Sequence, residues 1–187
     1  TIPPSVTSIG DKAFYNCSNL QSITIPTSVT VIGDSVFFGC HHLQSIDVES
    51  DNLNYASRDG ILFSKNFETL ICFPSKHRFS QYTIPTSVTS IANSACSKCS
   101  KLSSISISAN VTSIGDKVFS GCCNLQSINV ESGNLNFSSR DGILFTENFD
   151  ILICFPPKHR LSKYTIPTSV TSIGDEAFYY CDHLQSI

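Results

Sequence analysis

An 82-residue block, Thr24 to Ile105, is written almost a second time from Ser106 to Ile187, and a shorter phrase recurs inside it. The phrase reads TIPPSVTSIGDKAFYNCSNLQSI in its first copy, and further copies start at Thr24, Thr83, Ser106 and Thr165. A catalytic motif is needed once, so five copies of one phrase point to a structural unit that stacks. Two longer stretches hold the remainder, and each ends in the same apolar spacing as the phrase: Phe79-x-x-Tyr82-x-Ile84 and Leu161-x-x-Tyr164-x-Ile166 match Leu20-x-x-Ile23-x-Ile25. The chain divides without remainder into units 1–23, 24–46, 47–82, 83–105, 106–128, 129–164 and 165–187. We read one repeat domain, and expect it to be part of a longer repeat protein because its end units are as ordinary as its inner ones.

Spaced aliphatics ahead of a proline mark one short strand per unit, with alternate side chains on one face. Each strand returns to the next in the same phase, so the strands should be parallel. On the way back Val6 and Ile9 point inward, Gly10 turns the chain, and Asp11 reads as the cap of a short helix carrying Ala13, Phe14 and Cys17 on one face. The expected fold class is therefore an α/β repeat solenoid, with a parallel sheet on one face and short helices and turns on the other. In the long units GILF and TLICFP, joined by SKNFE, read as a β-hairpin on the return side, led in by the turn Asp59-Gly60.

The phrase I-P-x-S-V-T-x-I-G-x-x-A-F-x-x-C-x-x-L-x-S-I resembles the leucine-rich repeat of BspA-like surface antigens. The long unit with DGILF and LICFP is similar to the variant repeat that family interleaves. The resemblance spans the whole chain. It departs mainly at IANSACSKCSKLSSI, where Ala92 replaces the turn Gly and Cys96 replaces Phe; this touches the local helix rather than the fold. The resemblance implies a leucine-rich repeat solenoid at the cell surface or secreted that mediates adhesion and takes a protein or glycan ligand such as a host matrix protein. With no cofactor motif, phosphate loop or convergent acid/base pair in the chain, enzymatic activity is not expected. The alternative is an intracellular or structural protein-interaction scaffold with no host ligand.

At 41% hydrophobic residues, 14% charged and a net charge of −3, the chain can fill a core and has no basic stripe, so nucleic acid is not an expected partner. No apolar run of about 18 residues is present to insert into a bilayer. Nine cysteines invite a metal or disulfide reading, and Cys96 and Cys99 have metal-ligand spacing. Register gives a plainer account: Cys17, Cys40, Cys99, Cys122 and Cys181 share one unit position, Cys72 and Cys154 share another, and Cys96 replaces a Phe. Small buried thiols are expected, with stacked disulfides Cys17–Cys40 or Cys99–Cys122 as the competing reading. No metal or cofactor is expected. His41 and His42 beside Cys40, and Asp182 and His183 beside Cys181, mimic a nucleophile with its base, but sequence neighbours rarely face each other as catalysis requires. The repeated KHR, Lys76 to Arg78 and Lys158 to Arg160, could hold sulfate or a sialylated glycan; a solvated edge is the more economical role. Asn16, Asn110 and Asn136 head glycosylation sequons.

Residues flanking the inward aliphatics must point out of the sheet, which gives a row of small polar side chains. From this row Asp47, Glu49, Gln81, Ser104, Asn129, Glu131 and Lys163 are taken as ligand contacts. A flat polar strip suits a protein or glycan better than a small molecule; the competing reading is a plain solvated sheet face.

Overall fold

The computed structural model describes residues 1–187. Each short unit contributes a strand to a front sheet and a two-residue strand to a return-side sheet: β1 (Ser8–Ile9), β2 (Ser22–Ile25), β3 (Val31–Ile32) and β4 (Ser45–Val48). The first long unit adds β5 (Tyr55–Arg58), β6 (Ile61–Ser64), β7 (Thr69–Cys72) and β8 (Gln81–Thr83). The second block repeats the order with β9 (Ser90–Ile91), β10 (Ser104–Ile107), β11 (Ser113–Ile114), β12 (Ser127–Val130), β13 (Phe137–Arg140), β14 (Ile143–Thr146), β15 (Ile151–Cys154) and β16 (Ser172–Ile173).

The front strands pair in parallel and in the register set by the apolar spacing: Ile23 opposite Ile46, and Tyr82, Ile105 and Ile128 in line. The inward side chains Ile25, Ile46, Ile84, Ile105 and Ile128 are fully buried. The result is a β-solenoid of about seven turns.

No helix forms, which corrects the α/β expectation. The segment expected to be helical is a run of tight turns whose alternate amides leave the rung. Ala13, Tyr15 and Cys17 donate to carbonyls three residues back, whereas Lys12, Phe14 and Asn16 donate to Asp34, Val36 and Phe38 of the next rung at 2.9–3.0 Å. The backbone turns left-handed at Lys12 (φ 56°) and Asn16 (φ 57°), which an α-helix cannot contain. Inter-rung bonding therefore replaces the i−4 ladder. It also stacks like on like: the Phe14 and Phe37 rings lie 5.6 Å apart and nearly parallel.

The hairpin expected in each long unit forms, β6 with β7 and β14 with β15, but only one of its two strands lies where expected. Strands β7 and β15 do lie on the return side, pairing in parallel with β9 and β16. Strands β6 and β14 instead run through the interior, antiparallel to both neighbours, and Ile61, Leu62, Phe63 and Ile143, Leu144, Phe145 are all buried. Side chains of a strand alternate in direction, and here the two directions are two different cores. Leu62 packs in the first core, Ile61 and Phe63 in the central one, Leu144 in the central one, and Ile143 and Phe145 in the last. Each long unit is thus a partition, apolar on both faces as a doubly buried strand must be.

The same break explains Ala92. A Cβ added to Gly33 would sit 2.5 Å from the Asp11 backbone nitrogen of the rung below, and one on Gly115 would sit 2.6 Å from that of Asn93. Gly174 follows a long unit, which has no such turn, and its added Cβ would meet nothing closer than 3.4 Å. Ala92 occupies the matching place in the first block.

Candidate ligand-binding face

The front row lies where the alternation puts it. Asp47, Glu49, Gln81, Asn129, Glu131 and Lys163 are exposed, and Ser104 is partly so. The row is not uniform. The Glu49 carboxylate accepts the Thr27 amide at 2.8 Å and Glu131 accepts that of Ala109 at 3.3 Å, so both hold the turn of the preceding rung. Asp47 has no ion-pair partner and is the free carboxylate of the strip.

The strip is interrupted twice, which sequence reasoning missed. The front sheet runs β2–β4, then β8–β10–β12, then a single bridge between Lys163 and Ser186. At the first break the Ile46 amide donates to the Gly60 carbonyl at 2.8 Å and the Val48 amide to Ser57 Oγ at 3.0 Å. Asp59 (φ 56°) and Gly60 (φ 80°) form a two-residue hairpin turn with both residues left-handed. A Cβ on Gly60 would lie 2.8 Å from the Ser45 Cβ, so glycine is required for approach as well as for conformation.

Behind the turn stands the KHR segment. His77 is 2% exposed; one ring nitrogen, Nε2, lies 2.8 Å from the Asp59 carbonyl and the other, Nδ1, accepts the Phe79 amide at 3.2 Å. Because an amide can only donate, Nδ1 is the acceptor and Nε2 carries the proton. Burial against Phe73 and Phe79 keeps the imidazole below its ordinary pKa. Arg78 reaches Asp59 Oδ1 at 2.8 Å and lies over the Phe79 ring. These groups enclose an open cleft of about 450 Å³ lined by Gln44, Ser45, Asp47, Lys76, Arg78 and Lys101, among others, with no hydrophobic residue. The second block repeats the cleft at about 530 Å³, with Asn129, Asp141, Lys158, His159 and Arg160. His159 keeps both contacts, to the Asp141 carbonyl and the Leu161 amide. The repeated SRDG and KHR were the available signal; only the fold shows that they meet.

The thiols are all free. Cys40, Cys96, Cys99 and Cys122 are buried as register required, Cys181 is partly exposed, and Cys17, in the outermost rung, is exposed against expectation. Burial pushes the Cys40 thiol up to about 11 and that of Cys72 up to about 12, and raises Cys96 and Cys99 well above the usual range. Cys40 donates to the Phe14 carbonyl and Cys122 to that of Cys96, at 3.1 and 2.9 Å. Cys181 donates to the Phe155 carbonyl at 3.5 Å and makes no hydrogen bond to Asp182 or His183, the neighbours that suggested a nucleophile. No three His, Cys, Asp or Glu side chains converge as a metal set. The sequon residues Asn16, Asn110 and Asn136 are exposed. Each long unit also holds a buried asparagine. Asn52 donates to the Pro26 and Val29 carbonyls and accepts from the Asn54 and Tyr55 amides, and Asn134 repeats all four bonds.

A solenoid stacked through a left-handed turn in every short unit, and punctuated by partition units, is the arrangement to compare with known proteins. Residues 1–70, 61–141 and 153–187 match the BspA type leucine rich repeat region, in six copies. The chain belongs to this family. The BspA-type chain is similar to a leucine rich cell surface protein from Faecalibacterium prausnitzii, at 30% identity and a TM-score of 0.75 over 100% of this chain and 52% of that one. It is similar to the pneumococcal vaccine antigen PcpA at 27% identity and a TM-score of 0.70, over 92% of this chain and 39% of that one. A leucine-rich repeat protein from Eubacterium ventriosum matches at 26% identity and a TM-score of 0.62, over 96% and 63%. The BspA-type chain thus spans less than two thirds of the length of each. No curated protein matches it. No helix is long and apolar enough to cross a membrane.

Proposed function

We propose that this BspA-type segment is a non-enzymatic cell-surface module that binds a protein or glycan ligand, such as a host matrix protein, through the front side of its solenoid. The observation that carries the reading is the front strip: Ser22, Thr24, Asp47, Gln81, Thr83, Asn129, Lys163 and Thr165 stand exposed on a sheet whose opposite face is buried core. Such a face is rigid and long, and it offers polar groups without an enclosed apolar pocket, which favours a macromolecular partner. Family membership, and likeness to a cell surface protein and a vaccine antigen, support an outward location. Asn16, Asn110 and Asn136, all exposed, are offered as glycan acceptors.

Antibody to this segment, applied to intact cells that make the parent protein, tests the location. Labelling of intact cells is expected. Labelling only after permeabilisation would favour an intracellular scaffold.

A further inference from the structure

We propose that the two clefts at the breaks in the front sheet bind acidic saccharides, the first more tightly than the second. The proposal rests on the reading of the front side as the ligand-bearing side and names the ligand class and the place.

Each cleft exists because a long unit inserts a hairpin turn between one front strand and the next, between β4 and β8 in the first block. Its walls are the outward side chains of β4 or β12 on one side and the KHR segment on the other. With no hydrophobic residue in either lining, burial of an apolar ligand gains nothing there. In the first cleft Lys76, Arg78 and Lys101 stand against Asp47 and Asp59, a local excess of one positive charge on a chain whose net charge is −3. Only Arg78 and Asp59 are paired; the ammonium groups of Lys76 and Lys101 and the Asp47 carboxylate have no ion-pair partner.

The free groups are therefore of two kinds. Two ammonium groups and the outer face of the guanidinium suit a carboxylate or sulfate. The Asp47 carboxylate, the Ser45 hydroxyl and the Gln44 amide suit sugar hydroxyls, which both donate and accept. An inorganic anion would use the first set and leave Asp47 opposed to it. An acidic sugar uses both.

Both clefts open on the front side, one 82-residue block apart, so that an extended polymer can reach both. They differ in predictable ways. Asn129 stands for Asp47, and His183 occupies the chain position of Lys101 but does not line the cleft. Leu161 replaces Phe79, and the Arg160–Asp141 distance opens to 3.8 Å from 2.8 Å in the first cleft. The second cleft has the same excess of one positive charge, but one free ammonium group instead of two and a looser arginine.

Calorimetric titration of the whole chain tests this with four probes: a uronic-acid hexasaccharide, a sulfated hexasaccharide, a neutral hexasaccharide and a glutamate hexapeptide. Both acidic saccharides should bind and the other two should not. The double variant K76A/K101A should weaken binding by about tenfold or more and flatten its salt dependence. D47N should weaken saccharide binding about threefold while strengthening that of inorganic sulfate, which the carboxylate opposes. K158A should affect only the weaker phase. Unchanged melting temperatures establish that the variants fold. Full affinity in K76A/K101A, equal binding of the neutral sugar or the peptide, or displacement by equimolar sulfate would overturn the proposal. Those results concern the clefts alone. The front-side reading fails separately, when a strip variant outside the clefts, T83Y/S106Y, keeps full binding to immobilised matrix protein.

Discussion

The Ile46 amide donates to the Gly60 carbonyl at 2.8 Å, and 82 residues on Ile128 does the same to Gly142 at 2.8 Å. A hairpin turn therefore occupies the edge of β4 and of β12 where an unbroken seven-stranded sheet would continue. From this relationship come both the interior partition, because the chain leaves Gly60 directly into β6, and the polar cleft in front.

Glycine at the return turn is needed only where a short unit lies directly beneath it. Gly33→Ala should cost about 1–3 kcal/mol through forced displacement of the Asp11 backbone. Gly174→Ala should be neutral or raise stability by about 0.5 kcal/mol, as Ala92 already illustrates. Urea midpoints of the two variants check the contrast; equal losses would refute it.

Asn52 closes four hydrogen bonds in a fully buried place. Asn52→Ala leaves the Val29 carbonyl and two amides without partners, the Pro26 carbonyl keeping only the Val29 amide, and should cost about 3 kcal/mol or more. Asn52→Asp keeps an acceptor for Asn54 and Tyr55 but loses the donor to Pro26 and Val29, so it should not rescue. Denaturant unfolding of both variants is the check.

His77 is held neutral by burial, with its pKa below the ordinary 6.5. The folded state then binds fewer protons than the unfolded chain, so stability is full above about pH 6.5 and falls as pH drops through that value towards the folded pKa. Asp59 and the nearby charges of Arg78 and Lys101 act on the same ring, in opposite senses. Urea midpoints between about pH 7.5 and about pH 5 should decline in the native protein. They should decline less in His77→Gln, whose amide cannot titrate.

Thiol titration of the denatured, unreduced protein should find all nine cysteines free. In the folded protein Cys17 should react first, and Cys40, Cys96, Cys99 and Cys122 only on unfolding, since they are buried and Cys40, Cys96 and Cys99 are held protonated. A count two or four short of nine would restore the stacked disulfides.

The parallel front sheet was legible because Leu-x-x-Ile-x-Ile fixes both the strand and its inward face, and Tyr82 could be placed beside Ile105 from spacing alone. The false helix came from the same phrase. Ala13, Phe14 and Cys17 have helical spacing, while of the left-handed residues that forbid a helix only Gly39 and Gly121 are glycines, and Lys12, Asn16, Ser35, Ser94, Lys98, Lys117, Glu176 and Tyr180 are not. At Lys12, Asn16, Ser94 and Lys98 the amide bonds to the next rung, a contact no local pattern records. GILF read as an apolar strand, but whether such a strand lies on a surface or divides a core depends on what stacks on either side. The clefts were half legible: Asp47 and the KHR segments were each singled out, and only the broken sheet brings them together.

The central claim is that the front side binds and the return side holds the fold. Retention of the labelled chain on immobilised extracellular matrix protein, compared between T83Y/S106Y and a variant with altered hairpin tips at 65–68 and 147–150, tests it most directly. Thr83 and Ser106 make no side-chain hydrogen bond in the fold and pair in register on the exposed strip, so the tyrosines block the face without disturbing the core. The account predicts loss of retention by about tenfold or more in T83Y/S106Y, with the hairpin-tip variant unaffected. Full retention by T83Y/S106Y, with loss in the hairpin-tip variant, would move the site off the front sheet and contradict it.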